Sequence, residues 1–272
     1  MIGDISVYHN SSANKQIDST AVSLGFDFLF ANMIVTPKTT DIEGQIAELS
    51  RSCAERNGIL ELGRAPKRSS IVDFVLKSSK PDGQPSLAVL SRVTLVLQNA
   101  DRIDNTVKSL ISKLANDVRI DCVCLRPSNE GQLMELITNR TTFHYDLLSI
   151  DVSSGHFFQQ IGTVTRAMKT GKDEVIIELE MSQLFRNSTG SGTEVTNVVN
   201  QARMALRRAP GLVVSSGAKS AFEMRSPLDL VNWGEGVLGL KAIKKNLKIL
   251  FEQIVKKRMI RGNFPDDSRM SD

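Results

Sequence analysis

Ile2-Gly3-Asp4-Ile5-Ser6-Val7 opens the chain, and Phe26-Asp27-Phe28-Leu29-Phe30-Ala31-Asn32-Met33-Ile34-Val35 follows it after one helical segment, Asp18 to Leu24. Both apolar runs are short and rich in Val, Ile and Phe, the pattern of buried strands. After the second run, Ile42 to Arg56 carries Ile42, Ile46, Leu49 and Cys53 at helical spacing, so one face is apolar. The chain therefore reads β-α-β-α from its first residues.

The same alternation continues. Leu87 to Leu97, Ile120 to Leu125, Leu147 to Val152, Val175 to Leu179 and Leu212 to Ser215 are expected strands, with helices between them at about 103–116, 129–139, 156–169 and 194–209. Strands separated by helices imply right-handed crossovers and a parallel sheet. A doubly wound dinucleotide fold needs a glycine-rich turn after its first strand, whereas Val7-Tyr8-His9-Asn10-Ser11 holds no glycine. About seven β-α units in 272 residues favour a single distorted TIM-like (β/α) barrel over residues 1–261. Two stretches break the rhythm: a basic, Pro- and Ser-rich insertion at about 63–86, and the flexible loop Asn187 to Thr193. The polar tail 262–272 is expected to be disordered.

Composition narrows the classes further. With 41% hydrophobic and 24% charged residues and 3 Cys, neither a disulfide scaffold nor a disordered chain fits, and no apolar run approaches the roughly 18 residues of a membrane span. The start lacks a basic flank and an apolar stretch, which predicts an intracellular protein with reduced thiols. The net charge of +4 is unevenly placed. Residues 1–199 hold 20 Lys and Arg against 23 Asp and Glu, residues 200–261 hold 13 against 4, and the last eleven hold 1 against 3, giving −3, +9 and −2. The concentrated positive charge suits a polyanion.

Enzymatic constellations are sparse. Glu178 and Glu180 lie two apart on a strand and share a face, but one strand supplying both carboxylates is a poor match to glycoside chemistry, and aromatics total 5%. His9, His144 and His156 show no ligand spacing and read as loop or surface residues, while Cys122 and Cys124 read as core thiols. No phosphate-cradling GxxxxGKS occurs.

The basic segment is richer. Val198, Ala202, Ala205, Leu206 and Ala209 line one side of a helix whose other side carries Arg203, Arg207 and Arg208. The last helix, about Leu240 to Arg258, repeats the design: Ile243, Leu247, Leu250, Phe251 and Ile254 form its stripe, opposite Lys241, Lys244, Lys245, Lys248 and Lys256. Between the two helices, Ser215 to Pro227 adds Ser216, Gly217, Lys219 and Arg225, groups suited to phosphate.

That loop also carries a resemblance. Ser215-Ser216-Gly217-Ala218, then Glu223-Met224-Arg225-Ser226-Pro227-Leu228-Asp229, Asn232-Trp233-Gly234 and Gly239-Leu240, resemble the roughly thirty-kilodalton protein subunit shared by RNase P and RNase MRP. Ile177-Glu178-Leu179, Ser182, Arg186-Asn187-Ser188, the strand Asp146 to Ile150 and Asn32 extend the likeness, which is specific from about 144 to 240. Gln183 stands where the family usually has proline.

The resemblance implies a barrel similar to the polymerase and histidinol phosphatase metallohydrolases but without their Asp-x-His-x-His, since Ser6 and Tyr8 stand at the ligand positions. It implies a non-catalytic subunit supporting 5′-leader removal from precursor tRNA and rRNA processing in the nucleus and nucleolus. No cofactor would be bound by this chain, with Mg²⁺ at the catalytic RNA. Its partners would be RNase P RNA, RNase MRP RNA, a Pop5-type small protein subunit and other proteins of the particle, with precursor tRNA met indirectly and no membrane. Arg186, Arg203, Arg207, Arg208, Ser216, Lys219, Arg225, Lys241, Lys245 and Lys248 are then the expected RNA-binding residues. Alternative readings are a metal-dependent phosphoesterase of the same barrel type and a barrel that binds only protein.

Overall fold

A computed structural model describes residues 3–9, 12–56, 87–98, 102–140, 142–150, 176–182, 196, 199, 200, 203 and 211–261. Seven strands form one sheet in chain order: β1 (Gly3–Tyr8), β2 (Phe28–Val35), β3 (Ala88–Val96), β4 (Cys122–Arg126), β5 (Leu147–Ile150), β6 (Ile177–Glu180) and β7 (Leu212–Ser215). Every neighbouring pair is parallel. Four helices cross over between the described strands: α1 (Asn14–Leu24), α2 (Ile42–Arg56), α3 (Asn105–Asn116) and α4 (Glu130–Thr138). After β7 come a 3₁₀ turn (Ala221–Glu223), α5 (Pro227–Asn232), a π-helical turn (Trp233–Val237) and the long α6 (Ile243–Arg261).

The sheet curls into a nearly closed barrel. Its seam joins β1 to the segment just after β7 through one parallel bridge, Val7 to Ala218, with Tyr8 N–H donating to Ala218 O at 2.8 Å. Asp4 spans the same seam, its Oδ1 accepting from the backbone N–H of Ser6 and of Ser216, both at 3.2 Å. A carboxylate thus stands in for ladder bonds that two strands of unequal reach do not make.

Within the described residues the expected strands and helices fall where the apolar periodicity puts them, with shifted ends; of the expected helix at 194–209 only 196, 199, 200 and 203 are described. α1 begins a turn before Asp18 because Asn14, Ile17 and Ala21 already form its buried face. The last helix begins at Ile243 rather than near Leu240, since Gly239 and Ala242 both take positive φ, +66° and +61°, which no right-handed helix accommodates. α3 and α4 carry the local signals that start a helix: Asp104 accepts from Val107 N–H and Asn129 from Gln132 N–H. At α5, Ser226 is the cap and Asp229 closes a reciprocal capping box behind Pro227. The insertion at 63–86, the helix at 156–169, the loop 187–193, His156 and the tail lie outside the described residues. Among those described, no helix is long and apolar enough to cross a membrane.

α6 lays Ile243, Leu247, Leu250, Phe251 and Ile254 on the barrel. Phe251 meets Phe28 at the start of β2, ring centroids 4.9 Å apart, and Phe28 meets Phe30 edge-on at 5.8 Å. Such pairs contribute about 0.5–1.5 kcal/mol beyond their buried area. They pack α6 against the first residue of β2.

Candidate functional site

Parallel register aligns side chains across strands. Tyr8 pairs with Asn32, Asn32 with Arg92, Arg92 with Cys122, Thr94 with Cys124, Ser149 with Glu178 and Glu180 with Ser215. A belt of polar groups therefore runs round the inside of the barrel. Arg92, on β3, is fully buried and grips Glu178, on β6, with both terminal nitrogens: Nη1 donates to Oε1 at 2.6 Å and Nη2 to Oε2 at 2.5 Å. Its Nε donates to Thr94 Oγ1 at 3.1 Å, Thr94 donates to Asn32 Oδ1 at 2.7 Å, and Asn32 donates to Ser6 Oγ at 3.1 Å. Ser6 Oγ then donates to Glu180 Oε1 at 2.7 Å, Tyr8 OH donates to Glu180 Oε2 at 3.1 Å, and Arg126 Nη2 lies 2.9 Å from Oε1.

The network explains why a barrel interior tolerates these charges. A bidentate guanidinium–carboxylate pair recovers much of the cost of desolvation, provided the remaining donors and acceptors are also met. Burial pushes the Cys124 thiol up to about 11, so it sits beside Arg92 as a neutral packing group. Burial, with the Glu180 charge adding to it, pushes the Tyr8 phenol up to about 12, which keeps it a donor. Asp4 is the odd member: burial pushes its carboxyl up to about 6 against the bonds from Ser216 and Ser6, and its Oδ2 has no partner among the described residues.

Glu178 and Glu180 thus share a face, as their spacing predicts, but each is held by an arginine rather than facing a substrate. Sequence reasoning missed Arg92 and Arg126. The available signal was an arginine in the middle of Leu87 to Leu97: a lone guanidinium in a buried strand demands a buried carboxylate. Among the described residues, no group of His, Cys, Asp and Glu is arranged to hold a metal ion. His144 is exposed; His9 is half-buried, and burial and the nearby Arg56 lower its pKa.

The basic residues occupy the outside. Lys241, Lys244, Lys245 and Lys248 are exposed along and just before α6, opposite its apolar stripe. Arg203 is also exposed, and a Cβ placed on Gly239 would lie 3.7 Å from its Nε, so the structure brings Arg203 beside Gly239, just before α6. Lys219 goes elsewhere. Its Nζ lies 5.5 Å from the centroid of the Tyr8 ring, at the C-terminal mouth of the barrel. Arg225 folds onto its own loop, donating to the carbonyls of Phe222 and Met224 at 3.3 and 3.1 Å, while Glu223 accepts from Lys219 N–H at 2.6 Å. Ser216 is buried, its Oγ accepting from Ala218 N–H at 3.1 Å, so it shapes the turn. Arg186, Arg207 and Arg208 lie outside the described residues, as does the Lys256 side chain.

With this geometry in place, comparison with known proteins is decisive: the family model described as RNase P subunit p30 matches residues 1–262. The chain belongs to the RNase P subunit p30 family. No curated protein matches it. Membership makes the chain an RNase P-related subunit, a component of tRNA processing with a ribonucleoprotein as its partner. The Ser215-to-Leu240 stretch now has local reasons. Gly217 takes φ +61°, and a Cβ there would approach Ser182 Oγ to 2.3 Å; at Gly234 a Cβ would lie 2.1 Å from Ile243 Cδ1. These motif glycines let the turn after β7 pack against the end of β6, and α6 pack against β7.

Proposed function

We propose that the chain is a non-catalytic, RNA-binding subunit that serves both RNase P and the related RNase MRP particle, supporting 5′-leader removal from precursor tRNA and rRNA processing. The observation that supports this reading is where the charges sit. Inside, the carboxylates that might have done chemistry are tied to Arg92 and Arg126. Outside, Lys241, Lys244 and Lys245 are exposed with no carboxylate partner among the described residues.

By this reading the outer face of α6 and Arg203 neutralise phosphates of RNase P RNA and RNase MRP RNA, and the released counterions supply much of the affinity. Arg186, Arg207 and Arg208, which lie outside the described residues, are RNA contacts on the same reading. The RNA carries out hydrolysis with its own Mg²⁺, the chain binds no cofactor, and precursor tRNA is met only through the particle. A Pop5-type small subunit and other proteins complete the assembly, in the nucleus and nucleolus.

The test is native co-purification of the full chain from a nuclease-free lysate with sequencing of bound RNA. RNase P RNA is the expected species; a chain that brings down no RNA overturns the reading. A barrel that binds only protein is the second reading, favoured by Phe222 and Leu228, which are 85% and 62% exposed. It predicts that outcome. A phosphoesterase would instead cleave a model phosphodiester when supplied with a divalent ion and no RNA.

A further inference from the structure

The last helix and the residues that follow it carry opposite charge. α6 (Ile243–Arg261) turns its apolar stripe to the barrel and leaves Lys244, Lys245 and Lys248 exposed, with Lys241 exposed just before it. Its sequence holds seven basic residues against Glu252 alone. Lys241, Lys244 and Lys245 have no carboxylate partner among the described residues.

Beyond Arg261 the sequence runs Gly262-Asn263-Phe264-Pro265-Asp266-Asp267-Ser268-Arg269-Met270-Ser271-Asp272, with three carboxylates against one arginine. The family match ends at residue 262, so all three carboxylates lie beyond the part of the chain that the p30 model covers. Gly262 followed by Asn263 is a pair suited to reversing the chain after a helix. The reach is sufficient. Asp267, six residues past Arg261, can stand about 20 Å from it and Asp272, eleven past, about 36 Å, at about 3.3 Å for each extended residue. Back along α6, Lys248 lies about 20 Å from Arg261 and Lys244 about 26 Å, at about 1.5 Å per helical residue. Residues 1–199 carry a net −3, so the rest of the barrel offers an acidic segment no comparable target.

We propose that the segment 266–272 lies antiparallel along the outer face of α6, its carboxylates against Lys244, Lys245 and Lys248, and that a polyanion displaces it to bind there. Exposed ion pairs of this kind are individually weak, and the tether compensates by making the contact intramolecular at high effective concentration. Salt screens them. That the displacing polyanion is RNA rests on the proposed function; the contact itself does not.

The experiment uses the full chain with ¹⁵N amides and a nitroxide attached at Met270→Cys; Cys53, Cys122 and Cys124 are buried and stay unlabelled. The amides of Lys244, Lys245 and Lys248 are expected to broaden at low salt and to recover when Asp266, Asp267 and Asp272 are all changed to Asn. Absent broadening, or broadening that the Asn variant keeps, overturns the contact. Affinity for heparin, a polyanion that is not RNA, should rise about threefold in the unlabelled Asn variant at low salt. The rise should vanish when Lys244, Lys245 and Lys248 are also changed to Gln; a rise that survives those changes overturns α6 as the docking face. RNase P RNA in place of heparin then separates the two readings. The same gain supports RNA as the displacing ligand, whereas a gain for heparin with no RNA bound keeps the contact and sinks the RNA reading.

Discussion

The inside of the barrel and the outside of α6 use the same residue types for opposite ends. Arg92 and Arg126 are enclosed and each has a dedicated carboxylate, whereas Lys241, Lys244 and Lys245 are exposed and have none among the described residues. A buried charge is worth what its partner makes of it, and removing one member leaves the other stranded. An exposed lysine contributes little to folding, and its value appears only when a polyanion arrives. Charge count alone cannot separate these cases; burial and pairing do.

The comparison breaks most visibly at Arg92. Arg92→Leu leaves Glu178 buried and alone, and denaturant unfolding should show a loss of about 3–5 kcal/mol. Replacing both, Arg92→Leu with Glu178→Leu, should recover most of it. A single variant as stable as the parent would mean that the pair does not organise the interior.

Asp4 gives the next largest effect, through pH. Its folded pKa of about 6 lies above the ordinary 3.8. Between the two values the native state holds a proton that the unfolded state has released, so stability falls with pH; the contribution is complete below the unfolded value and is lost as pH rises through about 6. The two-unit gap corresponds to roughly 3 kcal/mol at most. Asp4→Asn keeps an oxygen for the N–H groups of Ser6 and Ser216 and cannot ionise. Its unfolding free energy should exceed that of the parent at pH 8 and converge with it near pH 4; parallel curves would remove Asp4 from the account.

Smaller again is Gly217→Ala, where a side chain meets both positive φ and the Ser182 hydroxyl. A loss of about 1–3 kcal/mol in thermal unfolding is expected. No loss would show that the turn after β7 relaxes freely.

Much of the fold was legible because its signals are local and repeated. Short Val- and Ile-rich runs alternate with helices such as Ile42–Arg56, whose buried Ile46, Leu49 and Cys53 follow the expected face. The α6 stripe was equally plain. The polar belt was not, because pairing of Arg92 with Glu178 spans 86 residues and depends on barrel register, which one-strand periodicity does not encode. Lys219 and Arg225 looked alike in sequence as loop cations. Only the fold separates them, sending Lys219 over Tyr8 at the mouth and tying Arg225 to its own loop carbonyls.

The central claim is that the interior charges hold the barrel while the exposed ones meet RNA. Its most direct test is the salt dependence of binding to RNase P RNA, measured for the parent chain and for a variant with Lys241, Lys244, Lys245 and Lys248 all changed to Gln. If each lysine neutralises one phosphate, the slope of log affinity against log salt should become shallower by about 3, at 0.7–0.9 per contact, with thermal unfolding unchanged. A slope that stays the same would contradict the account.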